Sequence, residues 1–347
     1  MSAQLQVRII EAAPVAERYA RGWHCLGLAS EYTEKPQMLE YFGTRLVVYR
    51  GASGELHILD AYCPHMGADL SRGCVEGDSI RCPFHSWRWG PDGICDDIPY
   101  AKRIPDKAVM RMWPTMEENH LLFVWNDPEG NPPIEEQCIP RIDDCFSDEW
   151  SLWHMNKMHI KTNCRELVDN MADCGHFGPV HGAPMTEFSN EVEKHIYTQI
   201  AKGSSERLSE GAELTSVATY YGPAYMNTYM TGQVNGIDVA SRLLVTHVPV
   251  TTESFDLRFG VMVKKSPQLS DEENQAMVDN YVEQNRVAFG QDVDIWHNKV
   301  RVDNPVLCDG DGPVNKLRQW YQQFYMDMKD VPGSWDKKKV YKLDMHA

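Results

Sequence analysis

No run of eighteen apolar residues occurs in this 347-residue chain, so nothing in it reads as a membrane-spanning helix. The opening stretch, MSAQLQVRIIEAAPVAERYARG, lacks the continuous apolar core of a secretory signal peptide, and a cytoplasmic location is expected. Positive charge is also scarce. At a net −16 the chain repels nucleic acid and anionic membrane surfaces, which attract Lys and Arg, and neither partner is expected. Regular cysteine spacing is missing as well. Ten cysteines scattered over this length exclude a secreted disulfide framework and fit reduced thiols, a few of them ligands. By default Cys25, Cys74, Cys95, Cys138, Cys145, Cys164, Cys174 and Cys308 are small core or surface residues. No Gly-x-Gly-x-x-Gly loop follows a strand, and no Cys-x4-Cys-x2-Cys ferredoxin spacing occurs, so the chain carries neither a nucleotide loop nor a plant-type cluster.

What is present is an ordinary globular balance, 42% hydrophobic and 24% charged, on a chain long enough for two cores. TRLVVYR and ELHILDAY flank the turn GASG, which predicts a hairpin. Short apolar runs punctuated by Gly and Pro continue to LLFVWND, so the first third is expected to be all-β. Turn formers and acids cluster in NDPEGNPPIEEQ and put a boundary near 127–137, giving units of residues 18–133 and 134–347. Residues 160–182 carry a helical pattern around CRELVDNMADCGHF. Strands return from 195 to 265, and in SFDLRFGVMVKK the residues Phe255, Leu257, Phe259, Val261 and Val263 share one face. A long helix is expected over SDEENQAMVDNYVEQNRVAFGQDVDIWHNK, opening with a Ser-x-x-Glu capping pattern at Ser270 to Glu273. The second unit is therefore α+β, an antiparallel sheet with a long helix packed on it.

The segment YCPHMGADLSRGCVEGDSIRCPFH holds two mixed pairs, Cys63/His65 and Cys82/His85. Structural zinc modules pair like with like, as C-x2-4-C and H-x3-5-H. Cys-x-His and Cys-x2-His instead suit a Rieske [2Fe–2S] centre, in which two thiolates take one iron and two imidazoles the other. Each loop then offers one ligand to each iron. Neutral imidazoles raise the cluster's potential, so it can accept an electron from a weaker reductant and pass it on. Zinc, or four unrelated residues in a β domain, are the competing readings.

An electron carrier needs somewhere to send its electron. In DNMADCGHFGPVHG, His176 and His181 stand five apart and would diverge by about 140° on a straight helix. Pro179 drives Gly178 out of helical geometry, so the helix is expected to end just after His176 and let His181 fold back. Two histidines and a carboxylate with open positions make the set of a non-haem Fe(II) oxygenase. Helix phase gives Asp292 the neighbours Ala288, Phe289, Ile295 and Trp296, placing a carboxylate in an apolar stripe, whereas Asp294 and His297 fall on a polar face. A buried charge needs a metal or a partner, so Asp292 is the expected third ligand, with an ion pair to Lys299 as the alternative. Asp173, three before His176, can accept the free ring N–H of a ligating histidine or bond a cluster histidine. Asn170, a turn further back, either hydrogen-bonds near the iron or is a plain surface amide.

Taken in order, CPH-x16-CPFH, DNMADCGHFGPVH and QDVDIW resemble the oxygenase component of Rieske non-haem iron oxygenases. RYARGWHCLGLA, CPFHSWRWGPDGIC, LLFVWNDPEGNPP, SDEWSLWHMNK and QDVDIWHNKVRVDNPVLCDGDGPVNKLRQWYQQFY, spread over residues 18–325, are similar to 3-ketosteroid 9α-hydroxylase oxygenase subunits. The resemblance implies an all-β Rieske domain joined to a helix-grip, START-like catalytic domain. It implies that Cys63, His65, Cys82 and His85 bind the cluster, and that His176, His181 and Asp292 bind mononuclear Fe(II). It further implies a homotrimer in which one chain's cluster reaches the next chain's iron through Asp173. The implied activity is hydroxylation of a steroid or similar polycyclic apolar substrate by O2, with electrons from NAD(P)H arriving through a separate flavin/iron–sulfur reductase. A Rieske demethylase or desaturase, or an electron-transfer module with no chemistry in its second domain, are the other readings. Between its two iron-ligand histidines the chain departs from its relatives, with Gly178-Pro179 where they carry bulkier residues.

Overall fold

The computed structural model describes residues 9–12, 18–204, 213–234 and 236–345. The first unit is made of antiparallel pairs. β1 (Gly22–Leu28), β2 (Gln37–Tyr41), β3 (Thr44–Arg50) and β4 (Leu56–Asp60) come first, followed by the short strands β5 (Cys74–Glu76), β6 (Ser79–Arg81), β7 (Arg88–Trp89) and β8 (Cys95–Asp97). β9 (Met112–Trp113), β10 (Thr115–Glu118) and β11 (Leu121–Asn126) close the unit. They form sheets in the orders β1-β11-β10, β2-β3-β4-β9 and β5-β6-β7-β8. The hairpin read from GASG is β3–β4, with Arg50 opposite Leu56 and Gly54 at φ 89° in the turn. Every residue of β11 is buried because its two faces meet different cores. Leu121, Phe123 and Trp125 pack with Trp23 and Tyr225, while Leu122 and Val124 pack with Leu26 and Trp113.

The second unit begins with β12 (His154–Ile160), α1 (Arg165–Asp169) and α2 (Phe177–His181). A meander of β13 (Met185–Glu193), β14 (Ile196–Ser204), β15 (Glu213–Tyr221), β16 (Tyr225–Val234), β17 (Ile237–Thr251) and β18 (Ser254–Val263) follows, then α3 (Asp271–Asn298), α4 (Val314–Gln322) and β19 (Lys339–Lys342). The antiparallel sheet has the order β12-β18-β17-β16-β15-β14-β13-β19. β12 comes first in the chain yet pairs with β18, so the connection carrying α1 and α2 has to traverse the sheet to reach β13. The strands expected from 195 onward are present; β13, which precedes them, has no counterpart in the sequence reading.

α3 lies on the sheet as the apolar pattern requires. Ser270 caps it: its Oγ accepts from the Glu273 N–H at 3.2 Å, and the Glu273 carboxylate accepts from the Ser270 N–H at 2.8 Å. Phe289 stacks on Phe259 at 4.7 Å, Tyr281 and Val278 meet Val261 and Val263, and Trp296 meets Phe255 and Leu257. Each fully buried side chain of this kind contributes about 2–3 kcal/mol. The opposite face of β18 docks on the first unit. There the Tyr41 hydroxyl donates to Asp256 at 2.9 Å and accepts from Arg258 at 2.7 Å.

The helical pattern of 160–182 does not form one helix. Asn190 Nδ2 from β13 and Gln199 Nε2 from β14 donate to the Met171 carbonyl at 2.7 and 3.0 Å, so that carbonyl is held by the sheet and the chain turns between α1 and α2. Pro179 also behaves differently from expectation. His176 is the N-cap of α2 rather than the end of a helix, and Pro179 occupies its first turn, where a missing N–H has no intrahelical acceptor to lose. Gly182, at φ 62°, ends the helix instead.

Candidate active site

The two Cys/His loops are built alike. In the first, the Cys63 N–H donates to the Ala68 carbonyl at 2.9 Å and the Gly67 N–H to the Cys63 carbonyl at 2.8 Å. In the second, the Cys82 N–H donates to the Trp87 carbonyl at 2.8 Å and the Ser86 N–H to the Cys82 carbonyl at 3.1 Å. Gly67 takes the left-handed position of the first loop at φ 79°, and Ser86 takes it in the second at φ 57°. Both thiols end up inside, Cys63 and Cys82 being 1% and 2% exposed, while His65 and His85 stay nearer the surface with their rings 4.7 Å apart. His65 stacks on Trp87 at 4.3 Å.

Three observations bear on what this cage holds. His65 Nδ1 is buried without a hydrogen-bond partner among the described residues, as a nitrogen reserved for a metal would be. Burial pushes the Cys63 thiol up to about 11, so it becomes a thiolate only when a metal takes its proton's place. Among the described residues, the donors of these four side chains do not gather around one point, which a tetrahedral zinc ion would require. The set fits a two-iron cluster.

One group of donors does gather. Ligand atoms of His176, His181 and Asp292 lie within 4.8 Å of one another. His176 and His181 stand at the two ends of α2, and five residues of helical rise, about 7.5 Å, are short enough for the rings to meet at 5.2 Å. Asp292, 8% exposed, comes from α3, its Oδ1 3.3 Å from His181 Nε2. Lys299 does not reach it. That lysine pairs with Glu166 at 2.6 Å. Asp294 and His297 are exposed, and His297 accepts the Lys161 N–H at 3.1 Å.

Each imidazole is steadied from outside. His176 Nδ1 lies 2.8 Å from the Asp173 carbonyl and 3.5 Å from its carboxylate, while His181 Nδ1 lies 3.4 Å from Gln291 Oε1. The inner nitrogens are left for a metal. Asp173 and His176 come together through an irregular turn, not a shared helix face, and it is the backbone carbonyl that makes the shorter contact. Gln291 had no signal in the sequence beyond its place beside Asp292. Burial works against a charged His176, but Asp173 and Asp292 outweigh it and hold the imidazole above its usual value.

A two-lobed cavity opens beside these ligands. The lobe of about 220 Å³ at the ligands includes Asn170, Tyr220, Thr228 and Phe289 in its wall. The outer lobe, about 210 Å³, runs on to Leu214, Val239 and Tyr281. Phe177, Ser216, Met230, Asn285 and Ala288 border both. Alternation supplies the sheet wall: Leu214, Ser216, Ala218 and Tyr220 of β15 all face inward.

Residues 22–112 match the Rieske [2Fe–2S] domain family, and residues 124–325 match the 3-ketosteroid 9α-hydroxylase C-terminal domain family. A 3-ketosteroid-9-alpha-monooxygenase oxygenase component of Rhodococcus rhodochrous is 46% identical over 98% of this chain and 90% of its own length. The corresponding protein of Mycobacterium tuberculosis is 44% identical over 94% and 86%. Among solved structures, dicamba monooxygenase bound to dicamba superposes with a TM-score of 0.67 over 88% of this chain and 97% of its own, at 21% identity, a likeness of fold. With identity of this extent reaching from the first cysteine pair to Asp292 and beyond, the chain belongs to the 3-ketosteroid 9α-hydroxylase oxygenase family, Rieske monooxygenases whose cofactors are a [2Fe–2S] cluster and a mononuclear iron.

Proposed function

We propose that this chain hydroxylates a 3-ketosteroid or similar polycyclic apolar substrate, drawing electrons from NAD(P)H through a separate flavin/iron–sulfur reductase. The observation that carries the reading is the cavity: an apolar space with no Lys or Arg among its described lining residues, ending at His176, His181 and Asp292. When bound, a mononuclear iron would supply the oxidising chemistry toward O2, and the cluster would supply electrons. The protein's own residues do the rest. Cys63 and Cys82 would hold the inner iron of the cluster, and His65 and His85 the outer one. His176, His181 and Asp292 would hold the mononuclear iron. Asn170, in the cavity wall, is available to hydrogen-bond a molecule beside the metal.

We take residues 18–133 as the electron-transfer domain and 134–347 as the catalytic one. A homotrimer would join one chain's cluster to the next chain's iron through Asp173. Two features support this. The Asp173 side chain is 40% exposed and can accept a ring N–H from a second copy, and Tyr62, Met66, Phe84 and Tyr100 leave an apolar surface around the cluster loops for that copy to cover. No helix among the described residues is long and apolar enough to cross a membrane, and all ten cysteines are free; a cytoplasmic enzyme with reduced thiols accords with both.

Iron quantification coupled to turnover tests the reading. Three irons per chain, with O2 consumption matched by hydroxylated 4-androstene-3,17-dione in the presence of a surrogate reductase, is the expected result. Two irons per chain, or O2 consumption without a steroid product, would sink it.

A further inference from the structure

The core behind the cluster loops contains one donor that the protein leaves unspent. β7 pairs with β6 and β8, and alternation turns its two side chains opposite ways. Arg88 faces outward, where its Nε donates to Asp96 at 2.7 Å. Trp89 faces inward opposite Ile80 and Cys95, is 0% exposed, and packs in one core with Cys63 and Cys82.

Three side chains of that core carry a nitrogen or oxygen donor. The Tyr49 hydroxyl donates to the Asp78 carbonyl at 3.0 Å, and Trp87 Nε1 to the Tyr100 hydroxyl at 2.7 Å. Trp89 Nε1 is buried and has no hydrogen-bond partner among the described residues. The indoles of Trp113, Trp125, Trp153 and Trp320 all donate within the protein, so an idle one is an exception. Trp23, the other buried indole without a partner, packs in a different core, with Trp125 and Tyr225.

The chemistry nearest to this donor is sulfur. Burial pushes the Cys63 thiol up to about 11, and the Trp89 N–H is one of the neighbours that oppose the rise, which sets the indole edge at the cage. Trp89 also lines, with His65 and Trp87, a cavity of about 430 Å³ beside the loops. Val47, Leu59, Leu70 and Ile80 fill the rest of the core, and in surroundings of such low polarity a single N–H counts for more than it does at the surface.

We propose that the Trp89 N–H donates to a sulfur of the [2Fe–2S] cluster on its Cys63 side and thereby raises the potential at which the cluster accepts an electron. The acceptor arrives with the cluster, because Cys63 then carries a thiolate and the cluster brings its own sulfides. Reduction adds one electron, supplied by the reductase, and takes a cage of two thiolates and two neutral imidazoles from neutral to singly negative. A donor at sulfur stabilises the negative form more than the neutral one, so it favours reduction. Strand pairing fixes the indole in advance, and nothing has to reorganise when the electron arrives.

The test is a potential. Cluster midpoints are measured by spectroelectrochemistry on the holoenzyme without substrate, so the result does not depend on the steroid reading. Wild type, Trp89→Phe and Trp23→Phe are compared, with iron and sulfide content and the visible spectrum as controls. Phenylalanine keeps an apolar ring in the core and removes the N–H. Trp89→Phe should lower the equilibrium constant for reduction about ten-fold, a downward shift of about 59 mV for a one-electron couple. Water entering the space left by the smaller ring would act in the opposite direction, so the sign isolates the donor. Trp23→Phe should leave the potential where it is. An unchanged or raised potential in Trp89→Phe with the cluster intact overturns the proposal, as does an equal shift in both variants. If Trp89→Phe fails to retain its cluster, wild type decides. Pulsed EPR of its reduced cluster, with tryptophan labelled at the indole nitrogen and exchangeable protons replaced by deuterium, should then resolve an indole N–H coupled to the cluster, and absence of that coupling overturns the proposal.

Discussion

Glu166 and Lys299 meet at 2.6 Å, joining the short helix before the metal-site turn to the residue just past the helix that carries Asp292. Arg301 reaches the other oxygen of Glu166 at 2.9 Å and also approaches Asp169, which Arg318 of α4 holds at 2.6 Å. Lys299 is thereby kept from Asp292, and the two segments that carry the ligands are tied together. Glu166 is 3% exposed, so Glu166→Gln should destabilise the protein by about 2–3 kcal/mol, read as a lower denaturant midpoint at unchanged slope. Lys299→Ala, on a half-exposed side chain with Arg301 still in place, should cost under about 1 kcal/mol.

The same carboxylate sets a pH dependence. Burial alone would raise the Glu166 pKa, but Lys299 and Arg301 outweigh it and hold the folded-state value below the ordinary one. A depressed carboxyl pKa gives stability that is complete above the unfolded value of about 4.3 and is lost as the pH falls through the folded value. Wild type should therefore lose stability more steeply than Glu166→Gln below about pH 4.3. Parallel acid limbs in thermal melts would contradict this.

Removing a metal ligand should separate the two iron sites. His176→Ala and Asp292→Asn should retain the visible spectrum of the cluster and lose one iron in three, with turnover reduced at least ~100-fold. Gln291→Ala, which removes the partner of the His181 ring, should weaken iron binding by about 10–100-fold. Loss of the cluster spectrum in His176→Ala would show that the two sites are not independent.

Asp173 calls for a different readout. Asp173→Asn leaves the backbone carbonyl that holds His176 in place, so iron content should match wild type. Rapid-mixing measurements should then find cluster oxidation slowed by about 100-fold or more if the carboxylate bridges two chains. Full-speed oxidation in this variant would remove Asp173 from the electron path.

The cluster loops offer a matched comparison. A Cβ at Gly67 meets nothing within 4 Å, so Gly67→Ala carries only the backbone penalty of φ 79°, about 1–2 kcal/mol. Ser86 already bears that penalty in the equivalent position at φ 57°, and Ser86→Gly should stabilise the apoprotein or leave it within about 1 kcal/mol. Thermal melts of the two variants should move in opposite directions or differ by several degrees.

What could be read in the sequence was local chemistry at fixed spacing. CPH and CPFH announced their cage because four ligand types in two short loops have few other uses, and α3 announced itself through its capping box and a carboxylate among apolar neighbours. The stretch from Asn170 to Gly182 was illegible for a physical reason. Its path is set by Asn190 and Gln199, amides on strands that come later in the chain and capture the Met171 carbonyl. No helical propensity within the stretch contains that information. Pro179 misled in the same way, since a proline that ends a long helix is comfortable in the first turn of a short one.

The traverse that carries α1 and α2 between β12 and β13 also orders events in time. His176 and His181 leave the ribosome well over a hundred residues before Asp292, a delay of about 5–20 s at ~5–20 residues per second. During that interval the nascent chain offers a bare pair of imidazoles, a half-site that favours copper or zinc over ferrous iron. The carboxylate that shifts the site toward iron arrives only with α3, and α3 can dock only once the meander beneath it is complete. The three-ligand set is therefore complete only when α3 has docked.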